Sequence, residues 1–262
     1  MPSGKQSKRR RAAAAAAPPQ RRRQASPRVL IGVLAAVVLI AVGVVLGVLL
    51  FGGSSDSPSS APTSTLPGAS EVQQLLDGIP QHDNVLGRPG APVTMVEWID
   101  LQCPYCQQFE TQAMPQLILQ YVRTGKLKVE TKFIGFLGPD SERGRLAALA
   151  AGQQDKLYNL TQLLYDNQGG ENTGWLNDDI LRSAAESIPG LDAERVMTER
   201  DSTEIKSRAS DFDSQAQAEE VRSTPTILVG KSGETPKVVT LSAPNDAATV
   251  AKAIDDALKQ SG

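Results

Sequence analysis

From Val29 to Phe51 the chain runs for 23 residues without a charged or strongly polar side chain, the pattern of a helix in apolar surroundings on every side. At 1.5 Å rise per residue such a helix reaches about 35 Å and crosses a bilayer. The run exceeds the roughly 7 to 15 residues of a signal-peptide core, so it is read as an uncleaved transmembrane helix; a cut between Gly52 and Ser59 is the alternative. Residues 52–70 are dominated by Gly, Ser, Pro and Thr, the composition of a solvated tether. The folded domain is then expected over 71–262, with a short helix or irregular lead-in ending near Pro92.

Inside that domain Val93 to Ile99 is a short apolar run around one acid, Glu97, suited to a strand buried on both faces. A helix-compatible stretch follows Cys106 through Phe109, Leu117, Ile118 and Tyr121, with Pro115 expected to kink it and Thr124-Gly125 to end it. Leu127 to Leu137 reads as the next strand, which completes a βαβ unit. From Ser141 to Arg222 the period becomes helical, broken at Gly169-Gly170 and Pro189-Gly190, so an all-helical insertion is expected over about 141–222. Thr226 to Gly230 and Val238 to Leu241 form a hairpin around Lys231-Ser232-Gly233, and Asp246 to Leu258 closes the chain as a helix. Trp98 and Trp175 are assigned to the core, His82 to a solvated loop, and Asp100 either to a helix cap or to the start of a turn.

Charge divides the chain sharply. Residues 1–28 hold nine of the 27 Lys and Arg and no acid, whereas residues 52–262 hold all 29 acids. A cationic flank before an apolar span stays cytoplasmic, which makes 1–28 a basic cytoplasmic segment and places 71–262 outside, as a single-pass protein of the cell membrane. An acidic domain has no basic face to release counterions from phosphate, so nucleic acid is excluded as its partner.

Only two cysteines occur, in Cys103-Pro104-Tyr105-Cys106 at the strand-to-helix turn. Structural zinc needs four ligands, which this pair and the single His82 cannot supply. A staple closing so small a loop removes little chain entropy, so stabilisation is a poor reason for the pair. Redox exchange is the stronger reading: at a helix start the Cys103 sulfur meets unpaired N–H groups that favour thiolate, Pro104 fits the first helical position, and Cys106, one turn on, resolves a mixed disulfide.

Three segments resemble the DsbA-like branch of the thioredoxin superfamily, particularly its membrane-anchored bacterial members. VEWIDLQCPYCQQFE, residues 96–110, is similar to the family's strand and active-site segment; Ser223-Thr224-Pro225-Thr226 resembles its cis-proline loop; Tyr121 to Lys126 with the helical insertion matches its layout. Ser223 stands where the family usually has Gly, and Tyr105 where some relatives carry a cationic or polar residue. The resemblance implies an α/β thioredoxin-like fold with a helical insertion. It also implies that Glu97 is a buried carboxylate within reach of Cys106, taking and returning its proton, with a strand-edge Glu facing solvent as the alternative. Pro225 is implied to be cis and to lie against the disulfide, leaving the main chain of Thr224 to pair with an extended substrate.

The expected activity is thiol–disulfide oxidoreduction that introduces disulfides into exported proteins bearing free thiols. No metal or organic cofactor is expected beyond the redox-active Cys103–Cys106 disulfide, and the family implies a quinone-linked membrane partner for reoxidation. Two rivals stand beside it: a reductase or isomerase of the same fold, and a non-catalytic tethered module that grips peptides at Thr224-Pro225.

Overall fold

Residues 65–260 are described by the structure, a computed structural model. The basic segment, the apolar span 29–51 and residues 52–64 of the tether lie outside the described residues. Among the described residues no helix is long and apolar enough to cross a membrane.

The first helix, α1 (Ala69–Leu76), buries Ala69, Val72 and Leu76 at three- and four-residue spacing. It begins inside the stretch assigned to the tether, and Leu66 just before it packs against the core. The lead-in then contains a hairpin that the sequence pattern does not announce, β1 (Gln81–His82) and β2 (Val85–Leu86). Its two-residue turn holds Asp83 at φ 58°, a left-handed value that Asp tolerates better than most residues. His82 is therefore in a short strand and not a loop, but its side chain is exposed and lies 3.5 Å from the Asp155 carboxylate.

Strand β3 (Val93–Ile99) is the expected apolar run and sits at the middle of the sheet. Helix α2 (Pro104–Gln108) and helix α3 (Met114–Leu117) follow, joined and extended by two π-helical turns, Phe109–Ala113 and Ile118–Val122. Pro115 thus does not simply kink an α-helix. It brings no N–H to the ladder, and the turns on either side widen, with Met114 N–H donating to Phe109 O and Arg123 N–H to Ile118 O.

Strand β4 (Leu127–Phe133) stops four residues short of the expected Leu137. Gly138 at φ 99° turns the chain there, and Leu137 N–H is taken by the side chain of Asp100 instead of a sheet neighbour. The insertion consists of α4 (Pro139–Gly152), α5 (Leu157–Asp166), α6 (Asp178–Glu186), α7 (Ala193–Glu199) and α8 (Thr203–Ala218). Small residues let α4 pack on several sides at once: a Cβ on Gly144 would overlap Leu176.

The hairpin forms as β5 (Thr226–Lys231) and β6 (Lys237–Val239), so Thr240 and Leu241 leave the sheet earlier than expected. Helix α9 (Ala247–Lys259) closes the chain with Asp246 as its cap, accepting from Thr249 N–H at 3.0 Å.

The strand order is β1-β2-β4-β3-β5-β6. β3 runs parallel to β4, with Val93 opposite Leu127 and Ile99 opposite Phe133, and antiparallel to β5. The central strand is covered on both faces, which is why its pattern is a continuous apolar run and not an alternation. This is a thioredoxin-like α/β fold with a helical insertion between β4 and β5.

Candidate active site

The site grows from the end of β3. Asp100, fully buried, receives Gln102 N–H (2.8 Å) and the Ser141 hydroxyl (2.6 Å) on Oδ1 and Leu137 N–H (3.1 Å) on Oδ2. It is the knot of the turn and not the helix cap. Cys103 N–H donates to Asp100 O at 2.9 Å, and Cys103 itself is the N-cap of α2 with Pro104 in the first turn.

Its sulfur accepts Cys106 N–H at 3.4 Å. The Cys103 thiol is pulled from 9.0 down to about 6 by the Cys106 thiol that hydrogen-bonds to it. Burial opposes this, while the Thr224 side chain and the N–H groups of Cys106 and Tyr105 add to it. The Thr224 carbonyl acts the other way, since it accepts from the thiol at 3.4 Å and so favours the protonated form. The donors to the sulfur prevail. Cys106 is completely buried, and burial, with the neighbouring sulfur next, pushes its thiol well above the ordinary value.

The Thr224–Pro225 peptide is cis. With Tyr105, 58 % exposed, these residues line a groove of ≈ 550 Å³ that continues over Val238, Leu241 and Pro244. The structure therefore brings Cys103, Cys106, Tyr105, Thr224 and Pro225 to one edge.

Glu97 is 1 % exposed, which removes the solvent-facing alternative. The Thr131 hydroxyl donates to its Oε1 at 2.5 Å, its Oε2 is buried without a hydrogen-bond partner, and the Glu110 carboxyl lies close enough to act on its titration. Burial raises its carboxyl to about 7, and the Thr131 and Glu110 contacts hold it from going higher.

Several residues of the site carry no signal that pattern reading would isolate. Gln168 Nε2, from the loop after α5, donates to Leu101 O (2.8 Å) and Cys103 O (3.2 Å), and the Tyr165 hydroxyl donates to Asp100 O (3.0 Å). Gln102 is buried and donates to Leu137 O and Ser141 Oγ. Glu110 is the exception, an acid four residues after Cys106 on the same helix, a spacing that could have flagged it.

Residues 81–256 match the family model described as Thioredoxin. The chain is 30 % identical over 178 residues to "Probable disulfide bond formation protein D" of Bacillus cereus, covering 67 % of this chain and 78 % of that protein. The oxidised crystal structure of BdbD from Bacillus subtilis superposes with a TM-score of 0.60 at 24 % identity, over 69 % of this chain and 97 % of that one. DsbA1 of Wolbachia pipientis gives 0.57 at 19 % identity, over 68 % and 92 %. The chain belongs to the thioredoxin family, in its DsbA-like branch of thiol–disulfide oxidoreductases.

Proposed function

We propose that the protein donates a disulfide to exported proteins, with Cys103 as the sulfur that a substrate thiolate attacks and Cys106 as the sulfur that leaves. The observation that carries this reading is the placement of the Cys103 sulfur at a helix N-terminus, where the reduced protein is favoured as a thiolate. The names of the Bacillus proteins, disulfide bond formation protein D, support the direction. The groove beside Tyr105, Thr224 and Pro225 suits an extended substrate segment paired to the main chain of Thr224.

The sign of the electrostatic effect can be worked out. A thiol lowered from 9.0 to about 6 stabilises the reduced state fully above pH 9, and that stabilisation is lost as pH falls through about 6. At pH 7 about one unit of it operates, roughly 1.4 kcal/mol or about 30 mV toward oxidising power for a two-electron couple. The midpoint potential is therefore expected to fall by about 59 mV per pH unit below pH 6, where two protons accompany reduction, and by about 30 mV above it, where one does. Redox titration against glutathione between pH 5 and 8 reads both slopes. An unbroken slope through pH 6 contradicts the thiolate assignment, and a value near thioredoxin's roughly −270 mV selects a reductase instead of a donor.

Val29 to Phe51 supports a membrane tether, with the basic segment inside and the domain outside; a quinone-linked membrane protein is the reoxidant that the family implies. In spheroplasts, added protease is expected to degrade the domain while an epitope at residue 1 survives in the membrane fraction. Protection of the domain refutes this topology.

A further inference from the structure

The bend that carries Cys103 is held from outside as well as from within. Cys103 is the N-cap of α2 at φ −71° and ψ 119°, and its carbonyl accepts Gln107 N–H at 3.0 Å, the first rung of that helix. The same carbonyl receives Gln168 Nε2 at 3.2 Å, and the Leu101 carbonyl, two residues earlier, receives it at 2.8 Å. An amide NH2 group has two hydrogens and the bend offers it two acceptors, a match that a carboxylate or a hydroxyl cannot make. Turning the Cys103 carbonyl means turning ψ of the residue whose sulfur lies 3.4 Å from the Cys106 nitrogen. Gln168 therefore fixes the peptide that aims the sulfur at the start of the helix.

Gln168 is itself placed by short ties at the end of α5. Asn167, the preceding residue, donates from Nδ2 to Pro67 O (2.9 Å) and to Leu163 O (2.8 Å), so the chain ahead of α1 and the last turn of α5 grip one side chain. Leu66 N–H donates to Ser187 Oγ at 2.9 Å, and Gly68, at φ 86°, passes so near Asp166 that a Cβ would lie 2.8 Å from its Oδ2. In return Gln107 Nε2 of α2 donates to Tyr165 O at 3.1 Å, so side chains strap the two helix ends in both directions. The titratable groups packed around this junction are Cys106 and, further along the same helical run, Glu110, with Tyr165 from α5 and Asp100 from the end of β3. Gln168 is neutral at every pH, so replacing it with another neutral side chain removes none of these charges.

We propose that Gln168 is a positioning residue for thiol–disulfide exchange, holding the Cys103 carbonyl from the inserted helices so that the sulfur stays on the N-terminal N–H groups of α2. The proposal rests on the thiolate reading above. Without the amide the bend keeps its backbone bonds, but the Cys103 peptide is free to tilt and the sulfur spends less of its time within reach of Cys106 N–H. The reduced protein then loses part of what favours its thiolate, and the protein becomes a weaker oxidant.

The pH profile of Cys103 alkylation in the reduced full-length protein tests this, alongside the equilibrium with glutathione. Wild type is expected to titrate at about 6. Gln168→Met, similar in length and without a donor, is expected to raise that midpoint by about half to one pH unit, the scale of one net hydrogen bond. Its equilibrium with glutathione then shifts about three- to fivefold toward the oxidised protein at pH 7, and by little at pH 5, where the thiol is largely protonated in both. Gln107→Met breaks a bond between the same two helices away from the Cys103 carbonyl and is expected to titrate with wild type. Gln168→Asn, which keeps the amide but draws it back by one methylene, is expected to move in the direction of Gln168→Met, so the test stands where that variant does not fold. A Gln168 variant whose profile overlays wild type overturns the positioning role, as does an equal shift in Gln107→Met or a glutathione shift as large at pH 5 as at pH 7. Cys103 of wild type titrating near the ordinary 9.0 removes the thiolate reading instead, a failure visible without any variant.

Discussion

Cys103→Ser is expected to abolish disulfide transfer to a dithiol peptide, lowering the rate on the order of 10⁴-fold or more, the scale of losing a covalent nucleophile. Cys106→Ser behaves differently. It cannot transfer a disulfide either, but its Cys103, still held as thiolate by the start of α2, attacks a disulfide-bearing substrate, one substrate sulfur leaves, and with the resolving partner gone the mixed disulfides accumulate and are visible on non-reducing gels. The asymmetry follows from burial and charge: Cys103 is 5 % exposed with its thiol lowered, whereas Cys106 is fully covered with its thiol raised. Equal yields of mixed disulfide from the two serine variants, or transfer by Cys103→Ser within tenfold of wild type, contradict these roles and favour the rival in which the cysteine pair is a fixed staple.

The largest expected loss of stability is in Trp98→Ala. Trp98 is fully buried in the central strand, edge-on to Phe212 of α8 with ring centroids 6.3 Å apart. Its Nε1 donates to Glu219 at 3.3 Å, and the Lys132 ammonium sits 4.9 Å over its ring. Emptying this site costs about 3–5 kcal/mol, through lost burial and the cavity left behind. The nearly buried Lys132 is also stripped of its aromatic partner. Urea denaturation should show a lower midpoint with an unchanged slope. A loss below about 1 kcal/mol would mean that the ring is not the hinge between sheet and insertion that its contacts describe.

Patterns set by one element were legible in the sequence, and those set by two were not. β3 was readable because burial on both faces leaves an unbroken apolar run, and the cysteine motif because its spacing and its place at a strand end speak together. Pro115 was expected to kink its helix; that the turns on either side of it widen is a detail that a missing N–H alone does not specify. The end of β4 was missed because the competitor for Leu137 N–H is Asp100, 37 residues earlier. Glu97 was identified with the right burial, but its neighbour Glu110 was not, since only the folded arrangement brings the two acids together. Thr224 and Pro225 came from resemblance, and the structure brings them to the Cys103 sulfur from 121 residues away.

The hydrogen bonds from Gln168 and Tyr165 to the carbonyls of Leu101, Cys103 and Asp100 mean that the inserted helices are no detachable ornament on a redox core. Pared back to its sheet and flanking helices, the chain would lose three donated hydrogen bonds at the very bend that aims the reactive sulfur, leaving Asp100 O with Cys103 N–H and Cys103 O with Gln107 N–H, and taking from Leu101 O the side-chain donor it has. The smallest working unit of this catalyst therefore includes the segment that the fold's barest plan would omit.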